Sequence, residues 1–130
     1  MKTRLWLIVV VSLLVSASLG GAEDVAGLPL HMQKLDEGTI RLWLGDHGTS
    51  TAIVAFATEK GIVVVDTFGI PEVDTRLREA IAREFRRSDF THLINTHEHR
   101  DHTGGTSVYA DCTIVGHELV AAGLEQDAGN

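Results

Sequence analysis

Apolar and polar positions along this chain follow first the period of a strand and later the period of a helix. Between Thr39 and Leu44, Ile40, Leu42 and Leu44 alternate with Thr39, Arg41 and Trp43. That two-residue period sends successive side chains to opposite faces of a sheet, so one face is buried. His31 to Leu35 reads as the preceding strand, joined through Asp36-Glu37-Gly38, a turn signal. Gly45-Asp46-His47-Gly48 is a second turn. Thr51 to Thr58 and Gly61 to Thr67 predict the next hairpin, with Glu59-Lys60-Gly61 at its tip. Within it, Ile62-Val63-Val64-Val65 is an unbroken β-branched run, the pattern of a central strand covered on both faces. Residues 23–29 read as a short flexible lead-in.

At Pro71 the period changes. Val73, Leu77, Ile81 and Phe85 recur every fourth residue, with Ala80 and Ala82 beside them. Glu72, Asp74, Arg76, Glu79, Arg83 and Glu84 take the other side. The spacing predicts an amphipathic helix to about Arg87, opened by proline where its missing N–H costs least. Its charges form a solvated face. Phe90 to Asn95 returns as a strand. A short helix over Thr103 to Ala110, a strand-like run from Asp111 to Val115 holding Cys112 as a buried thiol, and a final helix from about Glu118 to Glu125 complete the pattern. A meander followed by strands alternating with helices specifies a mixed α+β domain.

The start of the chain stands apart. Met1-Lys2-Thr3-Arg4 precedes an apolar run from Leu5 to Leu19, then Gly20, Gly21 and Ala22. A basic start, a short apolar stretch and a small-residue exit make residues 1–22 a signal peptide and the remainder an exported, periplasmic or secreted protein. The run is short for a membrane span and is broken by serines, so a membrane attachment is expected only if the leader is uncleaved. Formal net charge is −7, and loss of the two leader cations makes the balance more acidic still. Nucleic acid, which is bound by basic surfaces, is excluded as a partner. One cysteine offers no internal disulfide in an oxidising compartment.

The chemistry is concentrated in Thr96-His97-Glu98-His99-Arg100-Asp101-His102-Thr103-Gly104-Gly105. Imidazole and carboxylate side chains suit zinc and similar divalent metals. In an extended backbone His97, His99 and Asp101 point to one side, and His102 turns in from the next segment. Glu98 and Arg100 alternate outward. A helical His-Glu-x-x-His site fails because the fourth residue after His97 is Asp101, and a calcium loop fails because nitrogens dominate. His117 reads as a helix-start or surface residue, and His31, His47 and His92 as strand or surface histidines.

His97-x-His99-x-Asp101-His102 followed by Thr103-Gly104-Gly105, with a strand ending in Asp66-Thr67 upstream, resembles the signature of the metallo-β-lactamase superfamily. The resemblance covers Leu30 to about Glu125, within a domain expected over residues 30–130, and implies an αββα sandwich of which this chain is the N-terminal half. It implies that His97 and His99 bind a first zinc and Asp101 and His102 a second. Asp66 supports the ligands from behind, and Asp101 acts as the catalytic proton carrier. The remaining ligands, another histidine, a bridging carboxylate and a last histidine, belong to a C-terminal half expected as a partner. The implied activity is hydrolysis of a small-molecule lactam, ester or thioester. The alternative is a non-catalytic or weakly metal-binding fragment.

Overall fold

The computed structural model describes residues 24–46 and 51–128, with side chains described to residue 123 of the last helix. The expected signal peptide and the His47-Gly48 turn lie outside the described residues. Seven strands form one sheet in chain order: β1 (Asp24–Val25), β2 (Leu28–Lys34), β3 (Thr39–Leu44), β4 (Ile53–Thr58), β5 (Gly61–Val65), β6 (Phe90–Asn95) and β7 (Thr113–Gly116). The first five are antiparallel neighbours, and β5–β6 and β6–β7 are parallel. Helix α1 (Pro71–Phe85) makes the first parallel crossover. The second contains a single turn α2 (Arg100–Thr103) and a 3-10 turn (Thr106–Tyr109), and α3 (Glu118–Ala128) follows β7.

The alternation in β3 is realised as read: Ile40, Leu42 and Leu44 are buried. They meet Ala55 and Ile53 across β4, Val64 on β5 and Leu93 on β6. Val73, Leu77, Ala80 and Ile81 of α1 cover that face and complete the core. Arg86 ends the helix in the left-handed conformation at φ 53°, and Arg87 N–H bonds back to Ala82 O at 3.1 Å.

Four expectations need correction. Residues 23–29 are not a loose lead-in: Ala26 and Gly27, at φ 56° and 78°, form a two-residue turn that pairs Val25 with Leu28. Strand β5 is not covered on both faces, because α1 lies on the Ile62 and Val64 side and leaves Val63 and Val65 half-buried. Asp74 does not belong to a solvated face; it is 1% exposed. Cys112 precedes β7 rather than lying in it, and is half-buried. The described architecture is two layers, helix over sheet, from an αββα arrangement of four.

Candidate metal centre

Strand β5 delivers Asp66 at the sheet's end in an unusual backbone conformation, φ 63°. Side chains other than glycine enter this region at a cost, and Asp is among those that tolerate it best. The kink aims a buried carboxylate across the end of β6. Its Oδ1 accepts the Thr96 N–H at 2.8 Å, and its Oδ2 accepts the Thr96 hydroxyl at 2.7 Å. Oδ2 also lies 3.0 Å from His102 Nδ1. Next door, the Thr67 N–H and hydroxyl both donate to the carbonyl of His102, at 2.9 and 3.1 Å, while Thr67 Oγ accepts the Gly105 N–H at 3.0 Å. Two consecutive residues of β5's exit therefore fix both ends of the histidine-rich segment.

That segment is not extended throughout. His97 and His99 leave β6 with ring centroids 4.7 Å apart; Glu98 and Arg100 are exposed, and so is His99, so exposure does not follow the alternation. At Arg100 the chain turns into α2, with the His102 N–H bonded to His99 O at 2.9 Å. Asp101 and His102 consequently enter from a helical turn instead of continuing the period-two pattern. The His97 and His102 rings are 4.0 Å apart. Asp101 Oδ2 accepts the Thr51 hydroxyl at 3.0 Å and lies 3.4 Å from His102 Nε2. The Thr51 bond is the main cause holding the Asp101 carboxyl below its usual pKa. Beside Asp101 an open cavity of about 440 Å³ is bounded by Phe68, Gly69, Ile70 and Arg100.

The glycines explain how α2 reaches this position. A Cβ on Gly69, at φ 83°, would lie 2.4 Å from the Arg100 carbonyl, so the loop after β5 and the turn α2 touch backbone to backbone. A Cβ on Gly105 would lie 1.9 Å from Asp74 Oδ2. Asp74 closes the floor beneath: its Oδ1 accepts the Phe68 N–H at 2.6 Å, its Oδ2 has no partner, and burial pushes its pKa up to about 6.

Thr51, Thr67, Asp74 and Thr96 are the participants that sequence reading passed over. Threonine carries no ligand signal by itself, and Asp74 follows the polar side of the helical period. Only Thr96, adjoining the motif, and Asp66-Thr67, ending an apolar strand, carried a positional hint. The other described histidines lie elsewhere, and His47 is outside the described residues. His31 stacks on Trp43 with ring centroids 5.1 Å apart, His92 is exposed on β6, and His117 caps α3 through Nδ1, which accepts the Leu119 N–H at 3.2 Å.

The donor set suits a divalent metal. Because a carboxylate only accepts, His102 donates from Nδ1 to Asp66, and in the neutral ring this leaves a lone pair on Nε2 facing the Asp101 carboxylate. Two such groups 3.4 Å apart can share a cation, either a proton on the ring or a metal ion. Among the described residues, however, no three His, Cys, Asp or Glu side chains gather closely enough to hold a metal ion. The ligands come in pairs.

A family model of the metallo-beta-lactamase superfamily matches residues 44–125. Subunit beta of 2,4-dinitroanisole O-demethylase from Nocardioides sp. (strain JS1661) is 31% identical over 93 residues, covering 70% of this chain and 29% of that protein. Subunit alpha of the same enzyme is 35% identical over 83 residues, 62% of this chain and 25% of that one. The chain thus spans under a third of the length of these relatives. In fold it is similar to the metallo-beta-lactamase from Pontibacter korlensis, with a TM-score of 0.63 at 21% identity, over 76% of this chain and 48% of that one. The Hirschia baltica enzyme gives 0.62 at 17% identity over the same shares. With the family match extending from the end of β3 into α3, across the whole histidine-rich segment, the chain belongs to the metallo-beta-lactamase superfamily.

Proposed function

We propose that this chain supplies half of the ligands of a dinuclear zinc hydrolase. His97 and His99 would hold one ion, and Asp101 with His102 the other. The observation that carries this reading is the pairing of His102 Nε2 with Asp101 Oδ2, backed by Asp66 on the opposite ring nitrogen. Bound zinc supplies Lewis acidity, making water nucleophilic near neutral pH and polarising the electrophilic centre. Asp101, exposed beside the open cavity, orients the attacking water, accepts its proton on a carboxylate oxygen and passes it to the leaving group. Asp66 keeps the His102 ring from rotating, and Thr51 keeps Asp101 turned toward it.

Lactams, esters and thioesters are the proposed substrates, and the signal-peptide pattern of residues 1–22 supports a reaction outside the cytoplasm. The relatives named as 2,4-dinitroanisole O-demethylase subunits add aryl methyl ethers to the candidates. Their description as subunits of one enzyme also favours a protein partner for this chain. A second reading, a fragment that binds metal weakly without turning substrate over, is favoured by the absence of three converging donors among the described residues.

Metal analysis with zinc titration tests the first reading, alongside hydrolysis of nitrocefin, a thioester and 2,4-dinitroanisole. Zinc uptake lost in the His97→Ala, His99→Ala variant supports the assignment, and unchanged uptake overturns it. Turnover by this chain alone decides for the enzyme. Uptake without turnover decides for the fragment.

A further inference from the structure

We propose that the Thr96 hydroxyl is a positioning group: it selects the ring tautomer of His97 and so links both metal positions to one carboxylate, Asp66. This rests on the assignment of His97 as a ligand only for its effect on metal binding. The tautomer follows from hydrogen-bond accounting.

Thr96 Oγ has one proton to give. It has two neighbours, Asp66 Oδ2 at 2.7 Å and His97 Nδ1 at 2.9 Å. A carboxylate oxygen has no proton, and a hydroxyl bond to a carboxylate is the stronger of the two alternatives, so the Thr96 proton goes to Asp66. Toward His97 the hydroxyl can then only accept. His97 Nδ1 must therefore carry the proton, and Nε2 keeps its lone pair. His102 reaches the same state directly, by donating from Nδ1 to the same Asp66 oxygen at 3.0 Å. One oxygen atom thus presets two imidazoles, one through a hydroxyl and one without it.

The backbone makes the relay rigid. Thr96 N–H is bonded to the other oxygen of Asp66 at 2.8 Å, so the threonine meets the carboxylate at two points and the backbone bond holds Asp66 in place for the hydroxyl. Asp66 is 5% exposed, which limits competition from water for its oxygens. Neither His99, whose ring has no such partner among the described contacts, nor Asp101, held by Thr51, draws on this carboxylate.

The test is long-range 1H–15N correlation spectroscopy on the metal-free, 15N-labelled chain at about pH 8, where an ordinary imidazole is neutral. It is followed by zinc titration against a chromophoric chelator. In the unsubstituted chain and in Thr96→Ser, His97 is expected as the Nδ1–H tautomer. In Thr96→Val it shifts toward Nε2–H, while His102 stays Nδ1–H and reports that the fold and Asp66 are intact. Zinc affinity should fall about 10–100-fold in Thr96→Val and recover in Thr96→Ser, the usual cost of losing an orienting partner. A His97 tautomer indifferent to Thr96→Val overturns the relay and leaves the metal assignment standing. The stated tautomer shift in chains that take up no zinc keeps the relay and overturns the hydrolase reading.

Discussion

Asp66 shows how much one residue can organise when its backbone is bent to suit. Three donors converge on its carboxylate: the Thr96 N–H, the Thr96 hydroxyl and His102 Nδ1. In Asp66→Asn an amide NH₂ replaces one acceptor, and in either orientation it meets a donor. Asparagine tolerates φ 63° nearly as well, so the fold should persist. Zinc affinity should drop about 10–100-fold, as read by chelator competition. Wild-type affinity in that variant would remove Asp66 from the centre. Asp74 makes a prediction in pH. Its folded pKa is raised from 3.8 to about 6, chiefly by burial. Between those values the native state binds more protons than the unfolded chain, so this residue's contribution favours folding at low pH and declines as pH rises toward 6. The span amounts to about 3 kcal/mol. Asp74→Asn does not titrate. Its stability relative to the parent should therefore improve by that order between pH 4 and 7, measured by urea unfolding without metal. A pH-independent difference would show that Asp74 is not the proton-binding group.

At the scale of elements, the site depends on three short segments pressed together: the loop after β5, the first turns of α1 and the turn α2. Gly105 is where they meet. A Cβ there would sit 1.9 Å from Asp74 Oδ2 and 2.9 Å from Thr67 Cβ. Gly105→Ala should destabilise by about 3 kcal/mol, the upper end of ordinary overpacking. Adding Asp74→Ala should recover part of that loss, because the two changes share one space. Additive losses in the double variant would place the clash elsewhere. The same junction marks the limit of periodicity as a guide. Period two and period four located β2 to β6 and α1 because each repeats over a full element. They failed at Asp74, which follows the polar side of α1 by spacing yet is covered by a loop that reaches it only in three dimensions. They failed again at Arg100, where the motif's alternation yields to a single helical turn. The ligand residue types were evident, since three histidines and an aspartate in six positions are visible without a fold. Their orienting threonines were not, because a threonine's role is set by which oxygen it happens to face.

Across the whole molecule the two faces of the sheet are unequal. One is covered by α1 at its centre, with Met32 and Ile114 exposed at its margins; the other carries Val54, Phe56, Val63, Val65, Ile94 and Val115 in cross-strand register. Phe56 is 37% exposed and Val115 42%. The continuous β-branched run in β5 gives this second face an apolar character whose cover is not among the described residues. An uncovered apolar surface of this kind binds other apolar surfaces without selectivity. The purified chain should therefore bind anilinonaphthalene sulfonate and associate as its concentration rises, followed by sedimentation velocity. Phe56→Lys with Val115→Lys puts two charges on this face and touches neither the core side nor the metal centre. That variant should sediment as a monomer and bind less dye, with a melting temperature close to the parent's, since both side chains point away from Ala55, Val64 and Leu93. Association undiminished by the two lysines would mean that the contact is made by another part of the chain, the exposed Leu119 of α3 being next to test.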